Sequence, residues 1–359
     1  MDLVSRPLAA MIALAILVIA LSDCLLPEDV IFLAPADPRS MVDSTGNTLR
    51  GFIGWEPYPS EAVLAGRGKI LMNSSEIWPH HPCCVLVYRD NWFKNSDDAR
   101  EIVKRVVWAH MQAINWINEA KGKGENYTVL VEYGAEFTGR DRAVIERALY
   151  NVDYDYSLDT RAIKEYGDVV FNQTGVLVEK KWLGSGYESI GDYVDEVVDE
   201  GLVESIGDYV DEVVDEGALS VSVGFINYDL HHLPLHVIQE AGFDEGLNIE
   251  TKGRNNGVEV MMDLIKNGEV DMAYLGIAPA LIHGINSNDF SLESPGFNDA
   301  RIKMVAGVNY NGSAIVVEDG IEGLEDLVGR TIGYPGKGTV QWYLILKAAE
   351  ERGLKVSMI

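Results

Sequence analysis

From residue 30 onward, short runs of β-branched and other apolar residues alternate with longer segments whose apolar positions recur every three to four residues. The first kind suits strands buried on both faces, the second helices with one buried face. The pattern predicts strands at 30–33, 51–54, 69–72, 84–88, 220–226, 248–251, 272–275, 303–308, 314–317 and 331–334. It predicts helices at 97–120, 140–149, 157–174, 235–241, 258–267 and 340–352. Helix 97–120 places Ile102, Val103, Val106, Val107, Ala109, Ile114 and Ile117 at spacings that bury one side. Strands interleaved with helices in this way indicate a layered α/β fold.

Two segments break the pattern. Residues 7–21 form an almost unbroken apolar run, preceded by Arg6 and followed by the sequence LSDC ending at Cys24. The run is short for a membrane span and suits the core of an export signal. LSDC resembles a lipobox, which makes Cys24 the candidate lipidation site, although Asp23 replaces the usual small residue. Residues 1–24 are therefore read as a signal peptide or lipoprotein anchor, and the chain as extracytoplasmic. The second segment is an acidic duplication, in which residues 188–201 recur as 204–217. Asp192, Asp195, Asp199 and Glu200 lack the alternating ligands and central glycine of a calcium loop. An acidic linker at 188–217, or a short amphipathic helix, is the expectation.

Composition sharpens the class. At 359 residues the chain can bury two cores of ordinary domain size. Its formal charge of −27 excludes nucleic acid as a partner, because phosphate binding needs clustered Lys and Arg. The same charge favours a soluble monomer. Three cysteines, two of them adjacent (Cys83 and Cys84), do not make a disulfide framework.

Several motifs, taken together, are similar to those of one family. These are SVSVGFI at 220–226, NGEVDMAYLGIAPA at 267–280, VAGVN at 305–309, LEDLVGRTIG at 324–333 and PGKGT at 335–339. They resemble the first half of solute-binding proteins of the nitrate/sulfonate/taurine ABC-importer family, which includes thiamine-pyrimidine-precursor-like members. GFIGWEPYPS at 51–60, SSEIWP at 74–79 and HPCCVL at 81–86 resemble its second half. Read as 218–359 followed by 30–217, the order becomes that of the family, so the chain looks like a circular permutant, a gene rearrangement or truncated tandem copies. The resemblance implies a two-lobed periplasmic-binding-protein-like (type II) fold, each lobe a mixed sheet flanked by helices. It places one lobe at 84–317 and the other at 25–83 plus 318–359, with ligand in the cleft between them. Residues 30–33 and 355–359 are expected to meet in one sheet.

Within that frame the candidate ligand contacts fall on loops at strand ends. The PGKGT loop offers Gly336, Gly338 and Thr339, with Gln341 in the following helix, whose free N–H groups and dipole suit an anion. Gly276, Ile277 and Ala278 repeat that arrangement after strand 272–275, and Asn309 and Asn311 present amides after strand 303–308. Tyr228, His231 and His232 follow the first strand of the family order. Trp55 offers a flat apolar wall, and Glu56 argues for a ligand with an amine or hydroxyl group. The stretch His80–Cys84 holds two histidines and two cysteines, but its spacing is unlike common zinc patterns. It is read as a strand start, with Cys83 at the cleft and no metal.

The expected function is capture of a small polar or anionic solute (sulfonate, nitrate, taurine or pyrimidine-precursor class) for an ABC permease with a separate ATPase. No cofactor and no catalysis are expected. A thiamine-pyrimidine-synthase-like enzyme of the same superfamily, with a pyridoxal-phosphate lysine and an active-site histidine, is the alternative. A non-transport sensor domain is another.

Overall fold

The computed structural model describes residues 29–122, 124–173, 189–206, 219–282 and 301–359. The export-signal region with Cys24, and most of the second acidic copy, lie outside these residues. Twelve strands are described: β1 Val30–Pro35, β2 Gly51–Trp55, β3 Lys69–Asn73, β4 Pro82–Arg89, β5 Val152–Tyr154 and β6 Leu219–Ile226. The others are β7 Leu247–Arg254, β8 Met272–Gly276, β9 Ile302–Asn311, β10 Ser313–Val317, β11 Thr331–Tyr334 and β12 Lys355–Met358. They form two six-stranded sheets, ordered β12-β1-β11-β2-β10-β3 and β5-β9-β4-β8-β6-β7. Both are mixed: β1 is parallel to β11 and β12, whereas β10 runs antiparallel to β2 and β3. In the second sheet β6 is parallel to β7 and β8, and β4 antiparallel to β8 and β9. Helices flank each sheet, giving a two-lobed α/β protein.

Every predicted strand is present. The predicted lobe division at 317 falls instead at Gly312, because β10 pairs along its length with β2 and β3 of the first sheet while β9 ends at Asn311. Likewise Pro82 and Cys83 already belong to β4 in the second sheet. As expected, residues 30–33 and 355–358 lie side by side, with Val30 opposite Lys355 and Leu33 opposite Met358.

The helix Tyr127–Thr138 was not predicted, since its Thr, Val and Tyr content and Gly134 weaken helix propensity. Tertiary packing overrides that weakness. Leu130 and Val131 are fully buried, and Gly134 lets the helix approach Ile145 more closely than any Cβ would permit. The predicted helix 258–267 changes character midway, from Gly257–Met261 to a π-helical turn, Met262–Asn267, closed by left-handed Gly268.

Of the two readings of the first acidic copy, the amphipathic helix holds. Ile190–Val197 buries Ile190, Tyr193, Val194 and Val197. Its acids have separate tasks: Asp192 caps the helix through Ser189, Asp195 pairs with Lys164 at 2.5 Å, and Asp199 accepts from Tyr88 Oη at 3.3 Å.

His110, on the helix Ala99–Lys121, illustrates how the second core handles a polar side chain. Its Nε2 donates to the Gly307 carbonyl at 2.7 Å, and Nδ1 lies 2.9 Å from Tyr274 Oη. Burial pushes its pKa down to about 4, so the neutral ring is the folded form. An unfolded chain binds this proton near pH 6.5, so the contribution is complete above that pH and is lost as pH falls toward 4. The loss amounts to about 3 kcal/mol. His110→Phe should be less stable than wild type at pH 7 yet lose less stability between pH 7 and 4.5, measured as urea midpoints at each pH.

Candidate functional site

The chain passes between the sheets twice, through 74–81 and through Gly312. The first crossing carries the short helix Ser74–Ile77 and then Trp78, whose ring meets Tyr343 edge-on at 5.0 Å and stacks on His81 at 5.6 Å. At the second crossing Asn311 and Gly312 both have positive φ, 57° and 85°. A Cβ on Gly312 would also collide with His231 Nε2, so glycine is required on two counts. The Gly312 carbonyl accepts from the Glu56 backbone N–H at 2.9 Å and from His231 Nε2 at 3.0 Å.

His231 follows Asp229, whose carboxylate accepts from the His231 backbone N–H at 3.0 Å and turns the loop after β6 inward. Its Nδ1 lies 3.4 Å from Cys83 Sγ and 3.9 Å from Cys84 Sγ. All four side chains are buried. A hydrogen bond from the Cys84 thiol, opposed by burial and reinforced by His231, holds Cys83 well below the usual thiol range. Burial and donation to Cys83 push Cys84 well above it. Burial works against charge on His231, but Cys83 and Asp229 outweigh it and carry the imidazole up to about 9. Asp229 itself is pushed up by burial to about 7. Together these shifts favour a proton on His231 and disfavour one on Cys83.

Glu56 faces the same crossing from the first lobe and is fully buried. Its Oε1 accepts from Ser60 Oγ at 3.0 Å and from Asn151 Nδ2, in the other lobe, at 2.5 Å; Oε2 accepts from the Ser60 N–H at 3.2 Å. Burial raises its pKa despite these bonds. Glu56 is thus a latch between lobes, with its oxygens already engaged. Two further clasps close the seam. Glu61 pairs with Arg140 at 2.7 Å, with the guanidinium over the Tyr58 ring, and Tyr166 Oη donates to the Gly338 carbonyl at 2.7 Å.

The remaining predicted residues divide between this seam and its surroundings. Gly336 (φ 140°) and Gly338 (φ 84°) shape the loop before the helix Val340–Glu350, and Thr339 caps it by accepting from the Trp342 N–H at 3.2 Å. Gln341 is buried and donates to Ser313 Oγ at 3.0 Å, beside the second crossing. Asn311 donates to Asp153 at 2.7 Å, and Asn309 to the Asn311 carbonyl at 3.3 Å. Gly276 pairs with Cys84 across β8 and β4, and Ile277 and Ala278 are buried behind it. His232 accepts from the Ile226 N–H and packs against Tyr274. Tyr228 is 52% exposed at the outer edge, near Arg140.

Among the described residues, five of nine buried side-chain polar atoms without a partner lie on these segments. Trp55 Nε1, His81 Nε2, His232 Nε2, Asn309 Oδ1 and Asn311 Oδ1 all lack one. Residues missed by the sequence reading are Asn151, Ser60, Tyr166 and Asp229. Only Asp229 left a local signal, as an Asp placed to cap the short turn Leu230–His232.

The model of the NMT1-like family matches residues 24–131 and 215–356. Over 127 residues the chain is 26% identical to the nitrate/nitrite binding protein NrtA of Nostoc sp., a stretch covering 35% of this chain and 28% of that protein. The chain therefore matches less than a third of that relative's length. Among solved structures, the Escherichia coli murein tripeptide binding protein MppA has 11% identity and a TM-score of 0.29, over 77% of this chain and 54% of that one. The unliganded open form of MppA has 10% identity and a TM-score of 0.24, over 78% and 54%.

Arg140→Met should remove a charged hydrogen bond from the closed arrangement, at a cost of about 1.5–3 kcal/mol. Small-angle X-ray scattering should then report a larger radius of gyration than wild type. An unchanged radius would show that closure holds without the ion pair.

Proposed function

Since the chain belongs to the NMT1-like family, we propose that it is the extracytoplasmic solute-binding component of an ABC importer. It captures a small polar or anionic solute between its lobes and passes it to a separate permease and ATPase. The observation that carries this reading is the set of buried, unpartnered polar atoms on Trp55, His81, His232, Asn309 and Asn311 around two hinge crossings. A buried donor or acceptor without a partner costs about 1–3 kcal/mol. A bound solute with complementary groups recovers that cost, which makes such a seam a recognition surface.

Two crossings and contacts on both sides of the seam suit hinge closure around a ligand. Opening breaks the Glu61–Arg140, Glu56–Asn151 and Tyr166–Gly338 contacts, and closing remakes them. The capped start of the helix Val340–Glu350 contributes free N–H groups for an anion. Glu56 we read as part of the latch, so it no longer opposes a simple anion. The relation to a nitrate/nitrite binding protein makes these anions the first ligands to test. The order of the halves we read as permuted, a reading supported by the β1–β12 pairing.

A panel of nitrate, nitrite, bicarbonate, taurine, alkanesulfonates and pyrimidine precursors tests this by thermal unfolding. One class should raise the melting temperature, with about 2.7 kcal/mol of stabilisation at a hundredfold excess over Kd. Asn309→Ala and Asn311→Ala should weaken that ligand about tenfold. No shift with any compound, together with no small molecule in the mass spectrum of the purified protein, would overturn the proposal.

A further inference from the structure

Cys83, Cys84 and His231 bring two sulfur atoms and one nitrogen within 4.8 Å of one another. In a regular strand adjacent side chains point to opposite faces, so neighbouring cysteines should not reach one partner. Here the register of β4 against β9 shifts: Pro82 pairs with Tyr310 and Cys84 with Asn309, which makes Cys83 the extra residue of a bulge. The bulge turns both thiols toward His231.

The imidazole is oriented to match. The Gly312 carbonyl only accepts, so Nε2 of His231 carries a proton, and Nδ1, directed at the sulfurs, would bind a cation in place of the proton it holds when no metal is bound. A metal-bound histidine is commonly held in this way, its second nitrogen donating to a backbone carbonyl. Distances agree as well. Tetrahedral zinc with Zn–S of about 2.3 Å and Zn–N of about 2.0 Å places S and N about 3.5 Å apart. The two S···N separations of 3.4 and 3.9 Å bracket that value.

A second grouping, Cys84 with Asp229 and His232, has its donor atoms equally close. Its histidine is in the wrong form: Nδ1 accepts from the Ile226 N–H at 3.1 Å, so the proton sits on Nε2 and neither nitrogen is free to ligate. We propose that Cys83, Cys84 and His231 form a binding site for a thiophilic divalent cation of the Zn2+ class, with a fourth position for an exogenous donor. This departs from the expectation of no metal drawn from spacing alone, because the third ligand comes from 148 residues away. The inference does not depend on the identity of the transported solute.

The full chain, reduced and freed of metal by a chelator, is titrated with Co2+ as a spectroscopic probe and then with Zn2+. One equivalent of Co2+ should produce tetrahedral visible bands and a thiolate-to-cobalt charge-transfer band, both removed by Zn2+. Cys83→Ser, Cys84→Ser and His231→Gln should each weaken binding at least tenfold. His232→Gln should leave the spectrum unchanged, with folding of every variant checked by circular dichroism. Independently of any variant, Zn2+ should slow alkylation of Cys83 and Cys84 in the wild-type chain, read by peptide mass spectrometry. Absence of both the charge-transfer band and the protection would overturn the site, as would bands that persist in all three ligand variants.

Discussion

The Gly312 carbonyl binds both halves of the molecule. It takes one N–H from the backbone of the first lobe at Glu56 and one from the His231 ring of the second. Losing either donor would strand a buried polar group. That double acceptance sets the plane of the imidazole, and the imidazole sets where two thiols and a carboxylate meet. It also fixes where the Glu56 side chain departs, and through Glu56 the positions of Ser60 and Asn151. A side chain at position 312 would displace the ring and reach each of these groups in turn.

The electrostatics inside differ from those outside. The chain carries a formal charge of −27, yet the acids at the crossing, Glu56 and Asp229, both have raised pKa values and lie beside a histidine favoured in its charged form. Burial disfavours negative charge on both carboxylates. The formal charge of the whole chain therefore does not describe the electrostatics at the crossing.

How much could be read in advance follows from the range of each interaction. All ten predicted strands were legible because β-branched runs advertise local geometry, whereas Thr339, read as a ligand contact, caps the helix Val340–Glu350. The helix Tyr127–Thr138 was not, since its burial against residues far along the chain outweighs its composition. At the site, Cys83 and His231 were each singled out, but nothing local joins residues 148 apart. Glu56 was read as a free charge because Asn151, its partner, is 95 residues away. The bulge that turns both thiols the same way depends on register with β9, which no property of β4 alone discloses.

The pairing of β1 with β12 has a mechanical consequence. The two strands run parallel, Val30 beside Lys355 and Leu33 beside Met358, so the chain enters β1 at one end of the pair and leaves β12 at the other. Tension applied between the chain ends would slide the strands along each other and strain their hydrogen bonds together. Peeling them apart one bond at a time would require a pull in a different direction. A molecule held by one end and tugged by the other would meet that load in shear, the direction in which a short parallel pair resists most.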